Sequence, residues 1–253
     1  MDHLLDILRT ALKIIFFQAC LLLLIGKPAL CKSDNSRGND STYSSKNKAQ
    51  KVFNLGEQLQ AFYPLGEDAE YAVTICADVP VNNKPDRVYK KGEPGHVFII
   101  LSKTDRVTGT VINRSFGFYP RVPVTTLFKQ VRSKLVDNCN REYDASLETK
   151  LTKEEFAAIL EKCEELAKKK YNLKKFNCYD YVLEIFNSLP GIEKLPLTKV
   201  KFPFIFGRGG SPCGLYNDLK KLASNNSAWA PAIRFGLFRS PGGNDPQNLV
   251  ASY

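Results

Sequence analysis

"KKFNCYDY", residues 174–181, opens a stretch with helical spacing and puts a cysteine in its first turn. Tyr181/Val182, Ile185/Phe186 and Leu189 follow at the period of an amphipathic helix, and Pro190-Gly191 ends it. Counting back from that stripe places Cys178 on the same face, so the thiol points into the domain. Phe176 and Asn177 read as the approach and the cap that fix the sulfur. A first-turn thiol feels the positive end of the helix dipole, and Lys174 and Lys175 stand close by. All three favour the thiolate. The free N–H groups of such a turn offer a place for an oxyanion. Asp180 faces away from the sulfur by helix phase and reads as a first-turn acid that complements the dipole.

A thiolate nucleophile needs a base, and the chain has two histidines, His3 and His96. His3 lies in an N-terminal leader. His96 starts "GHVFIIL" (95–101), a short apolar run suited to a buried strand, with Gly95 leaving room in front of it. "SKTDRVTG" (102–109) turns the chain, and "TVINRSFGFYP" (110–120) alternates as the partner strand of a β-hairpin. A third polar group normally orients the imidazole. Asn113 on the partner strand is the candidate, and Ser115 shares its face; the register decides between them. Each residue alone has a plain structural alternative. A buried cysteine at a helix start packs, and a strand-end histidine satisfies its neighbours. Asn113 also stands in an Asn-Arg-Ser sequon, as Asn39 and Asn225 stand in others. With one histidine outside the leader and no Cys-x-x-Cys or Cys-x-x-His spacing, the residues point away from a zinc site.

The rest of the chain divides by composition. Arg9 and Lys13 precede the apolar run "IIFFQACLLLLIG" (14–26), too short for a membrane span and suited to a signal-peptide core. Ala29 and Cys31 are small residues at −3 and −1 of a cut after residue 31. Residues 1–31 therefore read as a signal peptide, with a lipidated cysteine (Cys20 or Cys31) or an uncleaved anchor as alternatives. Each exports the rest, to a secreted, periplasmic or cell-envelope location. Residues 32–51 are rich in Ser, Asn and Lys and read as a flexible linker. Residues 52–223 form the domain, and residues 224–253 an irregular C-terminal tail. Cys76, Cys139, Cys163, Cys178 and Cys213 remain after the leader. Five is odd, so an oxidising compartment permits two disulfides and one free thiol.

Within the domain, "YAVTICADV" (71–79) alternates as a strand. Thr152 and Glu155 form a capping-box pattern before a helix whose stripe runs through Phe156, Ile159, Leu160, Cys163 and Leu166. "SPCGLYNDLKKLA" (211–223) reads as a further helix, with Ser211 as cap and Pro212 in its first turn. The formal charge of +10 fits nucleic acid, an anionic membrane or an acidic cell-wall polymer equally well and selects none; the expected partner is a peptide or cell-wall-type substrate, with no specific nucleic acid. Residues 168–175 carry the densest cluster of lysines, at a helix end where cations favour the macrodipole.

In the order "GH…GFYP…FNC…SPCGL", these motifs resemble the permuted branch of the NlpC/P60-like, papain-like cysteine hydrolases, over roughly residues 70–220. The resemblance implies an α+β fold, a small antiparallel sheet packed against helices, with the His strand before the Cys helix. It implies Cys178 as nucleophile, His96 as base and Asn113 as third member. It implies hydrolysis of an amide bond in a peptide or peptidoglycan-type substrate through an acyl-enzyme, with no metal or organic cofactor. Relatives of the same fold act as acyltransferases or lipid hydrolases, and a non-catalytic binding module that keeps the fold is the remaining alternative. In this resemblance Cys213 occupies a slot that needs no thiol, and so reads as packing or a disulfide partner.

Overall fold

The structure is a computed structural model describing residues 53–88, 90, 94–122, 126, 129–202, 207–225 and 227–242. The leader of residues 1–31 and the linker of residues 32–51 lie outside the described residues. No helix among the described residues is long and apolar enough to cross a membrane.

The architecture is α+β. Three ten-residue strands form its centre: β1 (Ala69–Asp78), β2 (His96–Asp105) and β3 (Val111–Pro120). The outer strands are β4 (Ser133–Asp137), β5 (Glu142–Leu151) and β8 (Ile233–Arg239). These six make one sheet in the order β4-β3-β2-β1-β5-β8, every neighbour antiparallel. A two-stranded ribbon, β6 (Val200–Lys201) and β7 (Arg208–Gly209), stands apart from it. Among the described residues, four α-helices accompany the sheet: α1 (Leu55–Gln60), α2 (Lys153–Ala167), α3 (Cys178–Phe186) and α4 (Pro212–Ser224).

The two faces of the sheet have different company. Val97, Ile99 and Leu101 of β2, with Phe116 and Phe118 of β3, join the main core beneath the helices. The alternate residues Phe98 and Ile100 face the other side, where they pack with Cys76 and Tyr143. His96 shares the parity of Phe98, and their rings stack at 6.2 Å between centroids. Its imidazole therefore stands on the face away from the helices.

The helix starts follow their sequence signals. Thr152 and Glu155 form the capping box of α2, and Ser211 Oγ accepts the Gly214 N–H at the start of α4. Each such cap is worth about 1 kcal/mol. The β2–β3 hairpin and β1 also form where the alternation places them.

Two expectations are corrected. The segment from residue 224 onward is not uniformly irregular: β8 pairs along β5, with Ala145 opposite Phe235 and Leu147 opposite Ile233. "IRFGLFR" shows no clean alternation, because Gly236 interrupts it and both Phe235 and Leu237 are exposed. Its order comes from an open edge of β5 rather than from its own pattern. The cysteines also differ. Cys76, Cys163, Cys178 and Cys213 are free, and Cys139 is disulfide-bonded. The five therefore form no disulfide among themselves; Cys163 and Cys213 are buried as core residues.

Residues 138–141 join β4 to β5. On a flat sheet those strands would lie about 19 Å apart, four spacings of about 4.8 Å, which is the limit of so short a link. The link instead passes over the outer face, as its contacts trace: Asn138 lies over Gly117, and Arg141 reaches Asp78. Ser240, just after β8, fastens it. Its hydroxyl donates to the Asn138 carbonyl and accepts from the Arg141 N–H, while its own N–H donates to the Arg141 carbonyl. Replacing Ser240 with Ala should therefore lower stability by about 1–3 kcal/mol, the cost of leaving buried partners unpaired. Chemical denaturation checks this, and an unchanged midpoint would contradict the fastening.

Candidate active site

Cys178 is the first residue of α3. Asn177 caps that helix: its side-chain oxygen accepts the Tyr179 N–H at 2.8 Å, and Asp180 returns by accepting the Asn177 N–H at 2.9 Å. The Asn177 amide donates onward to the carbonyls of Leu173 and Gly210, both at 2.9 Å. Asn177 is almost fully buried, so these bonds fix the helix start and the direction of its first side chain.

The sulfur reaches the sheet at a gap. β2 and β3 pair from Ile99↔Phe116 to Thr104↔Val111, whereas residues 117–120 of β3 pair with β4. The first three residues of β2 thus keep β1 as a neighbour and lose β3. In the opening, the Val97 and Tyr179 N–H groups lie close enough to the Cys178 sulfur to favour its charged form. The thiol therefore sits one residue past His96, in a seam that opens toward both faces of the sheet.

His96 is 4 % exposed. Three neighbours on the outer face hold it. Asp78 is its register partner on β1. Tyr119 stacks on the imidazole with centroids 4.1 Å apart. Asn138 stands in front of its Nε2 across Gly117: a Cβ at position 117 would lie 2.1 Å from His96 Nε2 and 2.6 Å from Asn138 Oδ1. Both of these buried atoms lack a hydrogen-bond partner. Asn138 Nδ2 donates to the Tyr119 hydroxyl at 2.8 Å, which leaves Oδ1 facing the ring. Nε2 and Oδ1 therefore flank Gly117 as two buried polar atoms, each unpaired.

Arg141 closes the group. Its Nε and Nη2 both donate to one oxygen of Asp78, at 3.0 and 2.5 Å, and Nη1 donates to the Tyr119 hydroxyl at 3.3 Å. Burial pushes the Asp78 carboxyl up to about 6 against the pull of that guanidinium. Burial, and then Arg141, push the His96 imidazole well below its ordinary value.

The same balance corrects the thiolate expected from sequence. Burial pushes the Cys178 thiol up to about 11, overriding the Val97 and Tyr179 N–H groups and the Arg141 charge, with Asp180 adding to the rise. The resting pair is therefore neutral thiol and neutral imidazole. The lysines do not rescue the thiolate; the Lys174 chain lies along Gly207 instead. Of the backbone donors of the turn, the Tyr179 N–H is committed to the Asn177 cap, and the Cys178 N–H lies near the Tyr171 hydroxyl.

Of the three residues singled out from sequence, Cys178 lies beside Val97, the residue after His96, and Asn113 lies away from both. Asn113 pairs with Ser102, and its Oδ1 accepts the Ser102 hydroxyl at 2.7 Å. That register position is six residues from His96, about 20 Å along the strand. Ser115, opposite Ile100, donates to the Pro241 carbonyl at 3.5 Å. The position behind the imidazole belongs to Asn138, which follows a five-residue strand with no clear alternation. No sequence signal ties it to a histidine 42 residues earlier. Among the described residues, no group of three His, Cys, Asp or Glu side chains is placed to hold a metal ion.

The chain matches no family model, no curated protein and no solved structure.

Two measurements follow from this geometry. Alkylation of Cys178 by iodoacetamide, read by peptide mass, should rise about tenfold per pH unit from 7 to 10 without levelling, since a thiol near 11 yields thiolate only above that range. A plateau below pH 9 would contradict the neutral resting pair. Gly117→Ala should displace His96 or Asn138 and cost about 1–3 kcal/mol, as overpacking does. An unaltered melting temperature would mean that the group is loosely held.

Proposed function

We propose that this chain is an exported cysteine hydrolase that cleaves an amide bond, with Cys178 as nucleophile and His96 as base. The observation that carries it is the seam between β2 and β3, where the helix-start thiol meets the amide next to a buried histidine backed by Asn138. The order of His strand before Cys helix, both packed on one antiparallel sheet, supports a permuted papain-like, NlpC/P60-like arrangement. Asn138 replaces Asn113 as its third member.

In this mechanism the neutral imidazole takes the thiol proton on Nδ1 as the sulfur adds to the carbonyl carbon. The carbonyl electron pair moves onto oxygen. When the tetrahedral adduct collapses, the carbon–nitrogen bond breaks, and His96 returns its proton to the departing amine. Water then adds to the thioester with His96 again as base, releasing the acid and the thiol. Asn138 stands on the Nε2 side of the ring, and in this reading it orients the imidazole during the reaction and leaves Nδ1 to take the proton. A basic surface suits an anionic peptide or cell-wall polymer as substrate.

The test is digestion of a peptidoglycan and peptide panel, and in parallel a phospholipid panel. Wild type should act on the first and release free amine ends. Cys178→Ala should abolish this by at least about 10³-fold, as loss of a nucleophile does. Asn138→Ala should reduce kcat about 10- to 100-fold, the cost of a misplaced base. Activity confined to phospholipids would favour an acyltransferase or lipid hydrolase, and activity that survives Cys178→Ala would refute the nucleophile.

A further inference from the structure

We propose that Tyr119 is a catalytic residue whose hydroxyl hydrogen binds the oxyanion formed when Cys178 adds to a carbonyl. The inference rests on the nucleophile proposed above and supplies what that mechanism lacks. The obvious donor in a helix-start active site is the N–H of the cysteine itself, and here it lies near the Tyr171 hydroxyl. The next N–H, of Tyr179, serves the Asn177 cap. The negative oxygen needs another partner in a water-poor seam, where one missing donor costs roughly 10²–10³ in rate.

Tyr119 meets the requirement by hydrogen-bond arithmetic. A phenol oxygen offers two lone pairs and one hydrogen. Asn138 Nδ2 fills one lone pair at 2.8 Å and Arg141 Nη1 the other at 3.3 Å. What remains is the hydrogen, for which the described residues show no acceptor. The ring cannot swing away, because it stacks on His96 at 4.1 Å. It is thereby fixed beside the base that serves Cys178. Two donors on the oxygen, one of them a guanidinium, also make the phenol a stronger donor as charge develops in front of it. Burial holds that phenol in its protonated form.

The step balances simply. The sulfur–carbon bond forms, the carbonyl pair moves to oxygen, and the thiol proton moves to His96 Nδ1. Tyr119 shares its hydrogen with that oxygen and keeps it when the carbonyl reforms.

The experiment compares two reagents on the full chain. p-Nitrophenyl acetate acylates a thiol through an oxyanion, and iodoacetamide alkylates it without one. Tyr119→Phe keeps the stack on His96 and should slow acylation of Cys178 by p-nitrophenyl acetate about 10- to 100-fold. Its iodoacetamide rate should stay within about twofold of wild type, since alkylation draws on the thiolate alone. Equal acylation rates in the two proteins would overturn the proposal. So would an equal loss with both reagents, which would make Tyr119 a support for the thiol or the base. Should Tyr119→Phe fail to fold, 3,5-difluorotyrosine at position 119 keeps the oxygen and both partners but ionises at lower pH. Acylation should then fall at alkaline pH where wild type does not, and superimposable profiles would overturn the proposal. Failure of the nucleophile reading looks different: the acetyl mass would then be absent from the Cys178 peptide of wild type itself.

Discussion

One unmade hydrogen bond organises this molecule. β3 leaves β2 at residue 117 to pair with β4, and the Val97 amide is left without a strand partner. A buried N–H cannot go unpaired without a cost of about 1–3 kcal/mol. The Cys178 sulfur is the group that lies beside it. That contact places the start of α3 against the sheet, with the thiol beside the residue that follows His96.

The outer face then depends on a short link. Residues 138–141 have little length to spare between β4 and β5, so they cross over the ends of β3, β2 and β1. The crossing lays Asn138 against His96 and Arg141 against Asp78. Gly117 is what lets it lie so close, since any side chain there would occupy the space of both His96 Nε2 and Asn138 Oδ1. Ser240 secures the link from the chain segment after β8. A polar group of five side chains is thus assembled from β1, β2, β3 and the link, with the C-terminal strand as its fastening.

Burial sets the chemistry of that group. Helix-dipole and lysine arguments both favour a thiolate at Cys178, and each is an effect of about 1 kcal/mol or less near a solvated surface. Desolvation in the seam is larger and keeps the thiol protonated, while the same force, with Arg141, keeps the imidazole neutral. The two groups therefore rest neutral rather than as an ion pair. Burial also explains why charged groups here come as a set: Asp78 and Arg141 neutralise each other beside the histidine.

Local signals in the sequence determined the elements that carry the chemistry. The Asn177 cap, the Thr152–Glu155 box, the alternation of β1, β2 and β3, and the inward phase of Cys178 all rest on neighbours within four residues, which a sequence displays directly. The pairing of a helix-start cysteine with the one histidine outside the leader followed from composition. Tertiary structure decided the rest. Asn113 has the right type and the right strand, yet register carries it about 20 Å away, because pairing between β2 and β3 is set by the whole hairpin and not by one residue. Asn138, Tyr119 and Arg141 join His96 only because the sheet order places β4 and β5 at opposite sides of three strands and the link between them must cross. β8 gains its order from a free edge on β5, and the thiol its protonation from burial; both are properties of the surroundings that no single stretch of chain contains.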